Sequence, residues 1–320
     1  MTALLTESRE QAPAAPPRVA VIFNPVSGTA DPEVRRAQLQ AQLRAAGLEL
    51  ELTETQRGRG AAPLAREALA DGVERVIVSG GDGSVAEAAG ALAGTDAVLG
   101  VVPGGTGNLL AVNLGLPPDC PRAMELALHG EPRRIDVGVA NGRPFLILAG
   151  IGADARMVKD ADREAKRRFG ALAYFLAAWK NIGRPLAPYR VTIDGRRIRC
   201  RAQAVLVANL GRITGGVELI PGSHPDDGLL EIAVLRARNV RELAAVAWSA
   251  LRGERRRDRL FQTFSGRHVL VETRRPEPFE VDGNDLGVTT RLEVTVRPGA
   301  LKIVAPPPGE AVAPALLPSL

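Results

Sequence analysis

The chain has 320 residues, 45% hydrophobic and 24% charged, an ordinary globular composition that excludes wholesale disorder and a fibrous class. Its formal net charge of +5 hides an asymmetry: residues 1–150 hold 13 Lys+Arg against 17 Asp+Glu, and residues 151–320 hold 28 against 19. A basic second half points to a membrane or another anionic partner, and an aromatic content of only 3% argues against nucleic acid read by base stacking.

Two cysteines, Cys120 and Cys200, and three histidines at 129, 224 and 268 form no disulfide framework and no metal-ligand spacing, which fits a reducing, cytoplasmic setting. Residues 1–17 carry Glu7, Arg9 and Glu10 and no apolar core, so they read as a flexible leader and not as a signal peptide. The most apolar runs, 145–153 and 171–179, fall well short of the about 20 residues a bilayer span needs.

Taken in chain order, 18–24 (RVAVIFN) is a β-branched apolar run ending in turn residues, a buried strand. Residues 33–46 are amphipathic and stop at Gly47, a helix. A strand is expected at 48–53, a helix at 62–70 and a strand at 75–79, followed at once by Gly80, Gly81, Asp82 and Gly83. An Ala-rich helix follows at 84–92, then a strand at 97–102 leading into Pro103, Gly104, Gly105, Thr106, Gly107 and Asn108. Alternating strand and helix implies a parallel sheet covered on both faces, a three-layer α/β domain over residues 18–134.

After about residue 135 the rhythm changes. Strand-like runs follow without regular helices between them: 135–140, 145–149, 190–193, 199–208, 229–235, 268–273, 279–281 and 291–296. Asn141–Gly142 and Asp194–Gly195 are hairpin turns. Helices are expected near 160–182 and 239–252. This predicts a second, antiparallel β-sandwich-like domain over 135–304, with a Pro-rich tail from 305 to 320.

Both glycine runs lie between a strand and the next helix. In a parallel sheet that is the carboxyl edge, where glycines let a ligand approach the backbone and helix N–H groups face an anion. A third turn, Asn24, Pro25, Val26, Ser27 and Gly28, follows the first strand onto the same rim. Three such loops predict a phosphate cradle. The chain has no G-x-x-x-x-G-K-[ST], and no G-x-G-x-x-G follows the first strand, so Walker-type and Rossmann dinucleotide sites are not expected. Asp82 among phosphate-binding amides needs a purpose: holding Mg²⁺ against phosphates, accepting a proton from a hydroxyl, or capping its own helix.

These loops, in this order, resemble the diacylglycerol kinase catalytic-domain superfamily, which includes soluble bacterial diacylglycerol kinases and sphingosine and ceramide kinases. The resemblance covers residues 18 to 305 and extends to Gly150–Asp154, to Pro221–Leu229 and to Val281–Gly283. It implies an ATP-binding α/β domain, a β-rich lipid domain and a cleft between them. By likeness, ATP is held by Asn24, Ser27, Gly28, Thr55, Gly80, Gly81, Asp82, Gly83, Ser84, Glu87, Gly104, Gly105, Thr106 and Asn108. The resemblance also implies lipid contact by Asp154 and a structural Mg²⁺ held by Asp227 with carbonyls of His224 and Leu229. Homodimers are common in the family.

Two positions depart from the pattern. Leu109 stands where many bacterial members have Asp, which leans toward the sphingosine-kinase-like branch. The late Asp-Gly-Glu reads Asp282–Gly283–Asn284–Asp285, and Asn284 cannot serve as a base. The proton acceptor is then Asp82 or Asp285. The implied reaction is transfer of the γ-phosphoryl group of ATP to a lipid hydroxyl, by a cytoplasmic enzyme that docks transiently on membranes. Residues 166–179 and 243–257, basic and amphipathic, are candidates for that docking. Competing expectations are a small-molecule kinase of the NAD kinase kind and a catalytically lapsed binding protein.

Overall fold

The computed structural model describes residues 18–152, 185–212, 218, 220, 222–239, 241–242, 245–246 and 260–307. Asp154, residues 166–179 and most of 243–257 lie outside these, as do the leader and all but the start of the tail.

The first unit runs β1 (Val19–Phe23), α1 (Pro32–Ala45), β2 (Leu52–Glu54), α2 (Ala61–Ala70), β3 (Arg75–Gly80), α3 (Asp82–Leu92) and β4 (Val98–Pro103). All four strands are parallel, in the order β4–β3–β1–β2. Two short helices follow, α4 (Leu109–Leu114) and α5 (Cys120–His129). Side chains alternate across the strands, so each sheet face has its own core. On one face Leu64, Val85 and Leu92 pack with Ile22, Val76 and Val78. On the other, Leu39, Leu43, Ala123 and Met124 pack with Val21, Phe23 and Ile77. The result is three layers, with α2 and α3 opposite α1 and α5.

The sequence reading omitted α4 and α5, although α5 carries start signals. Asp119 accepts from the Arg122 amide, and Pro121 sits in the first turn. The strand expected at 48–53 shortens to β2, since only Leu52–Glu54 pairs with β1.

The second unit is built on β5 (Pro132–Ala140), β6 (Arg143–Phe145), β7 (Leu148–Ile151), β8 (Ala187–Ile193), β9 (Arg196–Ala202), β10 (Ala204–Ala208), β11 (Leu230–Leu235), β12 (Phe261–Gly266), β13 (His268–Val281) and β14 (Asn284–Val304). Among the described residues these strands pair antiparallel with one another, around a core that includes Phe145, Ile151, Val205, Ile232, Val271 and Val294.

Four readings of this unit change. The run at 145–149 divides between β6 and β7, because the amides of Leu146, Ile147 and Leu148 all donate to the Asp282 carboxylate, and three successive N–H groups aimed at one acceptor cannot make a ladder. The run at 199–208 divides at Gln203, where the chain leaves β8 and joins β7 and β11. The runs at 268–273 and 279–281 are one strand, β13, whose register shifts between Glu272 and Glu277 around Pro276. The strand β12 was not expected.

The long strand β14 ties the units together. Its first half pairs with β13, and its end runs parallel to β4 through Lys302–Val98 and Ile303–Leu99. Ile135, Val137, Leu146, Leu301 and Ile303 accordingly pack into a core of the first unit. No helix among the described residues is long and apolar enough to cross a membrane.

Candidate active site

The three loops leave the carboxyl ends of β1, β3 and β4 side by side and interlock. The Asn24 side-chain amide donates to Ser84 Oγ at 2.7 Å, and Asn24 Oδ1 accepts from the Val26 amide at 3.1 Å. A Cβ on Gly80 would meet Ser84 Cβ at 2.9 Å, and one on Gly81 would meet Ser27 Oγ at 2.9 Å. Gly28, at φ +74°, sits against the Gly104 carbonyl, and Gly105 against Gly81. These glycines are needed by the protein itself, because the loops touch backbone to backbone. Gly83 is different. It occupies the exposed first turn of α3 with no positive φ, and a Cβ there would meet nothing within 4 Å.

Beneath the cradle lies a residue that sequence reasoning missed. Arg35 of α1 is only 9% exposed. Its guanidinium donates to the Ser27 carbonyl at 2.6 Å, to the Asn24 carbonyl at 3.3 Å and to Ser79 Oγ at 3.4 Å. It also stacks over the Phe23 ring at 5.0 Å and fills the space under Gly104. Burial lowers its pKa, and among the described residues it makes no salt bridge. In sequence it looks like any polar helix position. Arg35→Gln, which leaves two loop carbonyls without their donor, is expected to destabilise the fold by about 2–3 kcal/mol. Arg35→Lys keeps the charge and loses the fork, so it should recover part of that. Chemical denaturation of the three proteins checks this.

The acids come next. Asp82 is the first residue of α3, but it does not cap that helix. Its Oδ1 accepts from the Leu110 amide at 3.2 Å, and the Leu109 and Asn108 amides also stabilise its charge, so it binds the start of α4. Its Oδ2 faces Gly107, where a Cβ would stand 3.0 Å away. Burial raises its pKa against the pull of those amides. Asp282 approaches from the β13–β14 turn at φ +46°. Its carboxylate receives the Leu146, Ile147 and Leu148 amides at 2.9, 2.9 and 3.0 Å. Burial first, and the Asp82 charge in addition, raise its pKa to about 6. Two carboxylates, one from each unit, thus share one electrostatic site. Asp285, the acid named from sequence, sits in the same hairpin, opposite Glu280, and its Oδ1 accepts from the Gly287 amide at 2.8 Å.

The other expected residues divide into groups. Thr55 lies at the end of β2, its amide donating to the Phe23 carbonyl at 2.9 Å, and Thr106 is exposed at the third loop. Asn108, at φ +47°, braces that loop from both ends of its side chain: Oδ1 accepts from the Gly105 amide and Nδ2 donates to the Gly105 carbonyl. The Glu87 carboxylate accepts from the Ala61 amide at 2.8 Å, capping α2, whose N-terminal Gly60 offers no side chain. Asp227 Oδ1 accepts from the Leu229 amide at 2.9 Å. Beside it the buried Asp136 accepts from Gly228 at 2.6 Å and from Gly299 at 2.8 Å. Burial raises the Asp136 pKa, with Asp227 and Asp226 adding to it. Among the described residues no three His, Cys, Asp or Glu side chains gather as a metal site. A cation at Asp227 would therefore rely on backbone carbonyls such as those of His224 and Leu229, the oxygen donors a hard ion accepts.

Glycine loops that gather at the carboxyl edge of a parallel sheet, beside two half-buried acids, one from each unit, are the arrangement of a two-domain enzyme with its site between the domains. Residues 18–140 match the model of the diacylglycerol kinase catalytic domain, and residues 148–305 match that of the YegS C-terminal NAD kinase beta sandwich-like domain. A diacylglycerol kinase of Bacillus subtilis is 31% identical over 83% of this chain and 89% of its own. A Pseudomonas fluorescens protein named "Probable lipid kinase YegS-like" is 34% identical over 85% and 90%. A Bacillus anthracis crystal structure described as that of "a putative diacylglycerol kinase" superposes with a TM-score of 0.78 at 27% identity, covering 91% of this chain and 97% of its own. The chain belongs to the diacylglycerol kinase catalytic-domain family, and it is an enzyme of the kinase class.

Proposed function

We propose that the enzyme transfers the γ-phosphoryl group of ATP to the hydroxyl of a lipid, a diacylglycerol or a sphingoid-like alcohol, as a magnesium-dependent kinase. The observation that carries ATP binding is Gly83. A glycine inside a helix costs about 0.5–1 kcal/mol relative to alanine, and among the described residues nothing occupies the space where the Gly83 side chain would go. A phosphate drawn down onto the α3 amides accounts for it. Asn24, Ser27, Ser84 and the glycines shape that cradle, Thr55 and Thr106 stand at its rim, and Arg35 places positive charge beneath it. This answers the acidity of the first 150 residues: the triphosphate is met by amides and one buried cation, not by bulk charge. The lipid assignment rests on the kinship with lipid kinases.

The acid pair supplies a negative field that fits Mg²⁺ entering with the triphosphate, where the ion neutralises charge developing during transfer. Asp82 accepts the proton of the attacking hydroxyl through Oδ2, since Oδ1 is committed to Leu110. A pKa raised by burial makes it a stronger base. Asp282 fixes the strand linker at 146–148, whose Leu146 and Ile147 pack into the core of the first unit, and so steadies the second domain on the first. In this scheme Glu87, Asn108 and Asp285 hold local structure.

The test is Gly83→Ala. The variant should be more stable than the unaltered enzyme by about 0.5 kcal/mol in the absence of nucleotide, and should bind ATP at least tenfold more weakly by calorimetry. Unchanged ATP affinity in the stabilised variant would remove the cradle from this loop.

A further inference from the structure

The β8–β9 hairpin carries a basic face that the reaction does not use. Its turn is Asp194–Gly195, both at positive φ, and among the described residues β9 is an edge strand, hydrogen-bonded to β8 alone. Along β9 the side chains alternate. Ile198, Cys200 and Ala202 turn inward, while Arg197, Arg199 and Arg201 share the exposed face. Directly across on β8 stand Thr192, Arg190 and Pro188, so cross-strand neighbours form one cationic field of four arginines. Among the described residues only Arg190 meets an acid, Glu272 at 3.7 Å. Arg201 donates to the Leu186 carbonyl, and Asp194 is occupied by the Arg267 and His268 amides.

Edge strands often carry charge to block edge-to-edge pairing, but the other edges here do without a row of cations: β12 reads FQTFSG and β2 reads LTE. The field also has a place relative to the site. Val281, next to Asp282, pairs with Ala149 of β7. Three residues on, about 10 Å along the strand, Gly152 packs against the Tyr189 hydroxyl of β8. Tyr189 neighbours both Pro188 and Arg190 in sequence, and Pro188 pairs with Arg201. The basic face is joined to the acid of the second domain through β13, where Glu272 pairs with Arg190 ten residues before Asp282.

We infer that this face is where the enzyme rests on an anionic bilayer, the arginines meeting lipid phosphates while the site takes its acceptor from the same surface. The inference builds on the proposed lipid substrate. Arginine suits it as a weakly hydrated, bidentate phosphate binder, and the low aromatic content argues against a single-stranded nucleic acid on the same face.

The test compares the unaltered enzyme with Arg197→Gln/Arg199→Gln/Arg201→Gln and with the corresponding triple Lys variant. Two readouts are taken: co-sedimentation with phosphatidylcholine vesicles with and without 30% phosphatidylglycerol, and turnover of a short-chain diacylglycerol in neutral detergent micelles. At about 1 kcal/mol per basic residue near a surface, the Gln variant should bind the anionic vesicles about a hundredfold more weakly. The Lys variant should retain most of the binding, and micellar turnover should be equal in all three. Equal vesicle binding by the Gln variant overturns the inference, as does tight binding of duplex DNA with none to anionic vesicles. Failure of the unaltered enzyme to phosphorylate any lipid alcohol would count against the proposed function, while the vesicle comparison would still decide the docking face.

Discussion

Asp82→Asn is expected to lower phosphoryl transfer about a thousandfold and to leave the fold intact. The carboxamide oxygen can still accept from the Leu110 amide, as Asp82 Oδ1 does at 3.2 Å, so the start of α4 stays in place. What disappears is the proton-accepting oxygen toward Gly107 and one negative charge of the acid pair. General-base catalysis contributes typically 10²–10⁴ in rate, and that range sets the expectation. The loss should fall on kcat, with the KM for ATP nearly unchanged, because the glycine cradle is untouched. Steady-state kinetics at saturating lipid would show it. A variant with more than a tenth of normal kcat would transfer the role of base elsewhere, Asp285 first.

Asp282→Ala should be the most damaging single change to stability. It leaves the amides of residues 146–148 without an acceptor at the seam between the two units. At about 1–3 kcal/mol for each unsatisfied group, the cost is several kcal/mol, enough to unfold a marginal domain. The pH dependence gives a gentler test. The folded-state pKa of Asp282 is about 6, above the unfolded value of 3.8. The fold therefore favours the protonated acid. Its contribution is fully present below pH 3.8 and is lost as pH rises through 6, roughly 3 kcal/mol in all. Asp282→Asn cannot titrate there, so the stability of this variant relative to the unaltered enzyme should rise between about pH 4 and pH 6.5. Because the Asp82 charge adds to the shift, the transition should move to lower pH in an Asp82→Asn background. A difference that stays flat across this range would contradict the buried acid pair.

How much the sequence disclosed depended on whether the information was local. The loops after β1, β3 and β4 were legible because three glycine-containing turns follow three strands in register, and Asp82 stood out as an acid among them. Arg35 was invisible, since its three acceptors lie 8, 11 and 44 residues away and only the closed sheet brings them together. Asp282 was seen as part of a motif without a role. Its importance arises from residues 146–148, some 135 positions distant, and the same contact explains why an apolar run read as one strand became two. Asn24 and Asn108 looked like ligand contacts because polar residues in glycine loops suggest that. In the fold Asn24 ties its loop to Ser84, and Asn108 braces its own loop through Gly105. The change of rhythm near residue 135 is legible locally, yet a local reading could not show that β14 would return to pair with β4.

The charge asymmetry also acquires addresses. In the acidic half, the cation that matters is a single buried arginine under the cradle. In the basic half, part of the excess lies in order along one face of one hairpin.

The proposed reaction is phosphoryl transfer from ATP to a lipid alcohol in the cleft between the two domains. It is tested most directly by incubating the enzyme with γ-³²P-ATP, magnesium and a total lipid extract, and extracting the organic phase. A labelled lipid should form with the unaltered enzyme and be almost absent with Asp82→Asn. Label that remains entirely in the aqueous phase, or a labelled lipid formed equally by both proteins, would contradict it.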